Sequence, residues 1–281
     1  MSDNDDSGEM TPSPEVRPTL VLVLCGRQAE ISRTIQSVEG IERLAPGIYR
    51  TRTVRGQPMS EIAEHRCMIF RRVRRVPKLN ERDAEAIDRR TCTLVAYRLT
   101  DTSSRQKKKM MRLIARTPSV RVRPGVLIYP YLRKKDLERL SLTGNDPQLY
   151  SSVQLAKHLR ELGADVMMIS RLRTVDESSL SLLDETIDTM IERELTSVDN
   201  RARQMLDALQ CGSQDPRVMR RKYADLRHRF AQLRRGYELI GEVWHHDAGR
   251  RIKRSYNLIL RVRRLIDERT TTHFTAGLVR V

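Results

Sequence analysis

Two stretches far apart in the chain carry the same succession of apolar residues and arginines. Residues 68–76 read MIFRRVRRV and residues 167–175 read MMISRLRTV. A Pro-Gly pair followed by a β-branched residue also occurs twice, in residues 45–48 (APGI) and 123–126 (RPGV). Alternating apolar and polar residues indicate strands, and Pro-Gly indicates a turn between strands. We interpret the pair as an internal duplication, with chance recurrence of common patterns as the alternative.

Each copy predicts the same order of elements: strand, helix, strand, strand, helix, strand. In the first copy the strands fall at 20–25, 41–53 (a pair that turns at Pro46-Gly47) and 67–76, with helices at 29–38 and 60–65. In the second copy they fall at 94–99, 120–132 (turning at Pro124-Gly125) and 165–175, with helices at 104–117 and 152–162 and an extra loop at 134–148. This order is typical of ferredoxin-like domains, whose helices cover one face of an antiparallel sheet.

The last third of the chain reads as helix. Its middle part repeats apolar residues at alternating steps of four and three: Met219, Tyr223, Leu226, Phe230, Leu233, Tyr237, Ile240 and Trp244. Such a heptad seam packs either inside a bundle or against a second chain. Two interpretations therefore stay open, an intramolecular seam and a homodimer or protein partner that binds through residues 219–244.

The predicted fold class is α+β, with tandem ferredoxin-like β-α-β-β-α-β domains followed by a C-terminal antiparallel helical bundle or coiled-coil arm. The predicted domains are a disordered acidic tail at 1–18, ferredoxin-like domains at 19–78 and 91–175, and a helical domain at 176–281. The tail is assigned from residues 1–16, which hold five acids and no base.

The positive charge of the chain is unevenly distributed. The formal net charge of +17 is concentrated in residues 50–78, 103–123 and 217–269, whereas residues 176–210 hold nine acids against three bases. The acidic helix is therefore expected to lie against the basic helices that follow it. A basic helix is often only a solvated surface, but no acid occurs between Ser103 and Tyr131 to pair with the helix at 104–117. Such blocks predict surfaces that bind phosphate.

The candidate contact residues lie on the basic helix and the strand after it, on the 67–76 strand, and on the helix that carries the seam. Adjacent arginines on both faces of the 67–76 strand also predict that it is an edge or an exposed strand. The candidate nucleic-acid-binding residues are Arg71, Arg72, Arg74, Arg75, Arg105, Lys107, Lys108, Lys109, Arg112, Arg121, Arg123, Arg220, Arg221, Arg227, Arg234 and Arg235.

Several other classes of protein are disfavoured by the sequence. The four cysteines lack a CxxC spacing, and there is no Gly-rich phosphate loop and no HExxH or GxSxG motif, so we expect no metal and no cofactor. The neighbouring His245 and His246 would point in different directions on a helix, which disfavours a metal site there. No apolar run is long enough to cross a bilayer, and a cytoplasmic protein without a membrane partner is expected. Aromatic residues are scarce, which favours duplex or structured nucleic acid over single strands.

Residues 93–101 (TLVAYRLTD), the Lys/Arg helix after them and the strand pair at 120–131 resemble the small ferredoxin-fold subunit of the CRISPR spacer-integration complex. A ferredoxin-like domain followed by helices also resembles the chromate-resistance regulator ChrB. The CRISPR likeness implies a sheet-mediated dimer that grips the duplex backbone, so a duplicated chain would supply a fused pseudo-dimer. Family members that cut nucleic acid carry a carboxylate where this chain has Arg98, and Asp101 lies further on.

The leading hypothesis is a non-enzymatic protein that binds the phosphate backbone of duplex or structured DNA or RNA. The first alternative is a divalent-metal nuclease centred on Asp101, a residue that would otherwise cap the following helix. The second alternative is an assembly or scaffold protein whose helices bind a protein partner.

Overall fold

The computed structural model describes most of the chain from residue 19 to residue 278. The predicted acidic tail, the predicted helix at 60–65 and most of the predicted helix at 29–38 lie outside the described residues. The described residues are 19–25, 33, 35–36, 40–51, 66–76, 78–79, 90–99, 103–140, 149–211 and 215–278.

Eight strands form one sheet in which every neighbouring pair is antiparallel. The order across the sheet is β2-β3-β1-β4-β8-β5-β7-β6. The strands are β1 (Leu20–Leu24), β2 (Ile41–Ala45), β3 (Ile48–Thr51), β4 (Cys67–Arg72), β5 (Cys92–Leu99), β6 (Val120–Arg123), β7 (Val126–Pro130) and β8 (Ala164–Thr174).

The two halves of the sheet have the same strand order, and their registers match except that a bulge shifts the β5–β8 pairing between Cys92 and Leu94. In each half the first strand lies between the third and the fourth, and the halves join where β4 pairs with β8. Val95 pairs with Met168 as Leu22 pairs with Ile69, and Ile69 and Met168 occupy the same position when residues 68–76 are aligned with residues 167–175. In both halves a backbone amide of the first strand donates a hydrogen bond to the carbonyl oxygen of the turn glycine. The distance is 2.9 Å from Leu24 to Gly47 and 2.8 Å from Tyr97 to Gly125.

Six helices are described along the chain, and four of them begin at a side-chain cap. Ser103 and Ser151 form capping boxes, and Asp176 and Asp215 accept hydrogen bonds from the first turns of the helices that follow them. A short helix lies where only a loop was predicted at 134–148. The helices are α1 (Ser104–Ala115), α2 (Lys134–Arg139), α3 (Ser152–Glu161), α4 (Glu177–Gln210), α5 (Pro216–Trp244) and α6 (Gly249–Leu278).

The second half of the sheet lies between two layers of helices, and the mixture of one antiparallel sheet with these helices confirms the α+β class. Because side chains alternate along a strand, Val95 faces one side and Leu94 the other. Val95 belongs to the core formed with α1 and α3, and Leu94 belongs to the core formed with α4 and α5. The second core also contains Val21 and Phe70 of the first half, so one apolar cluster joins both halves of the sheet to the C-terminal helices.

The C-terminal helices form a bundle in which consecutive helices run antiparallel. Tyr237 of α5 contacts Glu194 of α4, and Arg269 near the end of α6 reaches the Gln210 carbonyl at the end of α4. Most seam residues are buried within the chain: Met219, Leu226, Phe230, Tyr237, Ile240 and Trp244. The seam is therefore intramolecular, and its buried face is not available to a homodimer or a protein partner. Helices α4 and α5 contact strands of the sheet and α6 packs on these two helices, so the region forms a bundle on the sheet and does not project as a coiled-coil arm.

In the part of the chain that the structure describes, none of the helices combines the length and the apolarity that a membrane crossing requires. The first-half helices of the proposed repeat lie almost wholly outside that part. The tandem ferredoxin-like arrangement therefore stays a prediction.

The turn glycine of the second half has a strict requirement that can be tested. Gly125 has φ +81°, and a Cβ there would lie 2.7 Å from the Tyr97 carbonyl oxygen, whereas Gly163 has the same φ with open space around it. Gly163→Ala should lower the free energy of unfolding by about 1–2 kcal/mol, because the only penalty is an alanine in the left-handed conformation. Gly125→Ala should destabilise the protein by at least about 1 kcal/mol more in urea unfolding, because the backbone must also shift. Equal effects would show that the strand–turn approach is not tight.

Candidate nucleic-acid interface

The basic helix α1 is held by its apolar face and presents its charges to solvent. Its capping box joins Ser103 and Gln106, and Met110 is buried against the sheet. Its five predicted contact residues are exposed, and none of them pairs with a carboxylate among the described residues. They are Arg105, Lys107, Lys108, Lys109 and Arg112.

The two arginines of β6 do not share a surface as the sequence predicts. Arg121 lies beside α1 near Tyr97, whose phenol pKa is raised by burial and lowered in part by the Arg121 charge. The Arg123 guanidinium occupies the space that a side chain at Gly47 would need, so it packs against the first half of the sheet. The Arg123 side chain thus joins the two Pro-Gly turns.

Strand β4 lies at the centre of the sheet, so of the two predicted alternatives, an edge strand or an exposed strand, the edge strand is wrong. The strand ends at Arg72 and lies between β1 and β8, with Arg71 directly opposite Arg173. Arg71, Arg72, Arg74 and Arg75 are nevertheless exposed, because they lie at the end of the strand or beyond it. They form a surface at the junction of the halves. None of them lines the cleft of about 650 Å³ that opens between α1 and α5.

The candidate bases of α5 divide into two groups. Arg220, Arg221 and Arg227 are exposed. Arg234 forms an ion pair with Glu238 at 2.7 Å, and Arg235 donates to the Leu140 carbonyl at 3.3 Å. The last two arginines therefore have partners within the fold.

A cleft of about 650 Å³ opens where the end of α1 and the turn into β6 face α4 and α5. Basic side chains enter it from every wall, and Glu194 is the one carboxylate among the described residues that line it. Glu194 accepts a hydrogen bond from Tyr237 at 2.8 Å. Burial, and then the Glu194 charge, raise the pKa of Tyr237 far above its ordinary value, so the phenol stays protonated. The basic lining residues are Arg112, Arg116, Arg121, Arg193, Arg229 and His228.

Four of these lining bases were not among the candidates from sequence. Arg193 is a base within the acidic helix, and His228 and Arg229 immediately precede a seam residue, Phe230, so their local patterns are typical of solvated positions. Arg116 ends α1 and stacks 4.5 Å above the ring of Tyr150. The sequence signal for Arg116 was its place in the acid-free stretch; no comparable signal marks Arg193.

Apart from Glu194, most acids of α4 are paired away from the cleft, in line with the expected packing against basic helices. Arg251 of α6 binds Glu192 at 2.7 Å and Asp199 at 2.9 Å, and it lowers the pKa of Glu192 by hydrogen bonding. Arg90 binds Asp184 at 2.6 Å. The acidic helix is therefore largely neutralised by these pairs, and Glu194 is its one described acid that offsets part of the positive charge of the cleft.

The histidine pair has a structural explanation. His245 ends α5 with φ +53°, and the His246 ring lies between Asp184 at 3.5 Å and Asp188 at 2.9 Å. Among the described residues, no three His, Cys, Asp or Glu side chains gather as a metal ion would require. Asp101, the centre of the nuclease hypothesis, lies outside those residues.

Comparisons of the chain with protein-family models, with curated proteins and with solved structures found no match.

The His246 contact should make stability depend on pH. Hydrogen bonding to Asp184, together with Asp188, raises the His246 pKa against the opposing effect of burial. A raised pKa stabilises the fold below the unfolded-state pKa of about 6.5, and that contribution disappears as pH rises through the folded-state value. His246→Gln should therefore destabilise the protein more at about pH 6 than at about pH 8 in urea unfolding. An equal effect at both would mean that the charged imidazole contributes nothing.

Proposed function

We propose that this chain is a non-enzymatic nucleic-acid-binding protein that holds the phosphate backbone of DNA or RNA. The observation that carries the proposal is the cleft between α1 and α5. Five arginines converge there, and the one lining carboxylate among the described residues is engaged by Tyr237.

Five arginines around one opening carry more positive charge than the single Glu194 carboxylate can offset, so a further anion between them would reduce their mutual repulsion. A guanidinium donates several hydrogen bonds in a fixed fork that matches phosphate oxygens, which makes arginine well suited to phosphate binding. Arg112 and Arg116 also interact favourably with the carbonyl end of α1, but that explanation does not extend to Arg121, Arg193 and Arg229. A bound polyanion accounts for all five.

The exposed bases of α1 extend this positive surface beyond the cleft. Arg105, Lys107, Lys108 and Lys109 precede Met111, the first lining residue of the cleft, on the same helix and can contact further phosphates of the same nucleic acid. Contacts of this kind fix position and contribute affinity, and they carry little sequence information.

We also propose that the sheet is built from two ferredoxin-like units. The repeated strand order, the matched pairs Leu22–Ile69 and Val95–Met168, and the repeated bond to the turn glycine support this. On this proposal the pairing of β4 with β8 makes a fused pseudo-dimer in one chain, as the likeness to the CRISPR subunit implies.

The binding proposal is tested by removing three cleft charges. The triple variant Arg112→Gln, Arg121→Gln, Arg229→Gln should bind a labelled duplex that ends in a short single-stranded segment more weakly, by about tenfold to a hundredfold at low salt. The slope of log affinity against log salt should fall by roughly 1 for each phosphate that the variant no longer neutralises. Fluorescence anisotropy between about 50 mM and about 200 mM salt measures both quantities.

The matched control removes three exposed bases from α6 and leaves the cleft intact. Lys253→Gln, Arg261→Gln, Arg264→Gln changes the net charge equally and should change affinity and slope much less. If both variants bound equally weakly, the loss of affinity would depend on net charge alone and not on the cleft. No binding by the wild-type protein at low salt would refute the proposal, and cleavage of the substrates in magnesium or manganese would refute its non-enzymatic part.

A further inference from the structure

The cleft is too small to admit a double helix. Its volume of about 650 Å³ lies in the range of pockets that enclose small ligands, about 300–1,000 Å³. A duplex is far wider, since its major groove alone measures about 12 Å. A duplex backbone could contact the rim of the cleft but could not reach into it.

The lining of the cleft combines apolar surface with arginines. Met111, Ile114, Pro118 and Leu233 contribute to it, and Met111 is 44% exposed although it is a large apolar side chain. Phosphate and sugar would leave this surface without a partner. The flat faces of unpaired bases, by contrast, pack on apolar groups and on guanidinium planes.

Hydrogen-bonding groups also face the cleft from α5. The His228 Nε2 atom lies 3.0 Å from the Gln232 amide nitrogen, and both side chains line the cleft. Since an amide nitrogen only donates, the ring nitrogen accepts, and the Gln232 oxygen and the second His228 nitrogen are left to contact a ligand. These groups suit the edge of a base, which is accessible once the base is unpaired.

We propose that the cleft binds unpaired nucleotides, with the bases on the apolar lining and the flanking phosphates on the arginines. The α1 bases outside the cleft then hold the adjoining backbone. The preferred ligand is a duplex with a single-stranded segment next to it, which differs from the duplex preference expected from the scarcity of aromatic residues. This inference rests on the proposed function and specifies its ligand.

The test compares a blunt duplex with the same duplex carrying a short single-stranded overhang. Wild-type protein should bind the overhang probe at least about fivefold more tightly, because stacking of unpaired bases adds to the phosphate contacts. The cleft variant Arg193→Gln, Arg229→Gln should abolish this preference. The outer variant Arg105→Gln, Lys109→Gln also removes two charges, and it should weaken binding to both probes by the same factor.

A charge-neutral variant keeps the test independent of net charge and of folding. Met111→Gln changes an exposed side chain and should weaken only the binding of the overhang probe. Equal wild-type affinity for the two probes, or a preference that survives in the cleft variant, would overturn the inference while leaving backbone binding intact. Failure to bind either probe would instead overturn the proposed function.

Discussion

The packing of α4 under the eight-stranded sheet is the contact on which the remaining architecture depends. With 34 residues, α4 is about 50 Å long and contacts strands of both halves. Leu183, Ile187 and Ile191 share one apolar cluster with Phe70 of the first half and Ile128 of the second. The Ser179 hydroxyl also accepts a hydrogen bond from the Ile69 amide at 2.8 Å, which fixes the start of the helix against β4.

The position of α4 also determines the charge of the molecule's cleft. Its acids pair with Arg90, Arg251 and His246, so they attach the other elements to it. Arg193 lies on its outer face. There it lines the cleft together with Arg229 of α5 and Arg121 of β6. The same helix therefore joins the sheet to the bundle and brings together the positive groups that we assign to phosphate.

Much of the fold could be predicted from sequence because local patterns determine it. The strand pairs around Pro46-Gly47 and Pro124-Gly125 and the helices α1 and α3 occur where the sequence patterns indicate them, but the cap of α1 is Ser103 and not Asp101 as predicted. The predicted end of β4 was wrong, since the arginine-rich run continues beyond Arg72 although the strand does not. The six-residue helix α2 has no apolar periodicity long enough to predict it.

The candidate site was less predictable because it depends on contacts between distant parts of the chain. The basic character of α1 was apparent from composition, and its exposed bases lie as expected. The separation of Arg121 from Arg123 follows from the approach of Arg123 to Gly47 in the other half of the sheet. The convergence of Arg193 and Arg229 follows from the antiparallel packing of α4 and α5. No local pattern records either arrangement.

The most direct test of this account is hydrogen–deuterium exchange of the full chain with and without a duplex that carries a single-stranded overhang. If the cleft is the binding site, exchange should slow in residues 111–121 and in residues 228–237, which lie on opposite walls. Protection confined to residues 104–109, or absent from both walls, would contradict the central claim that the docking of the helical bundle on the sheet creates the nucleic-acid site.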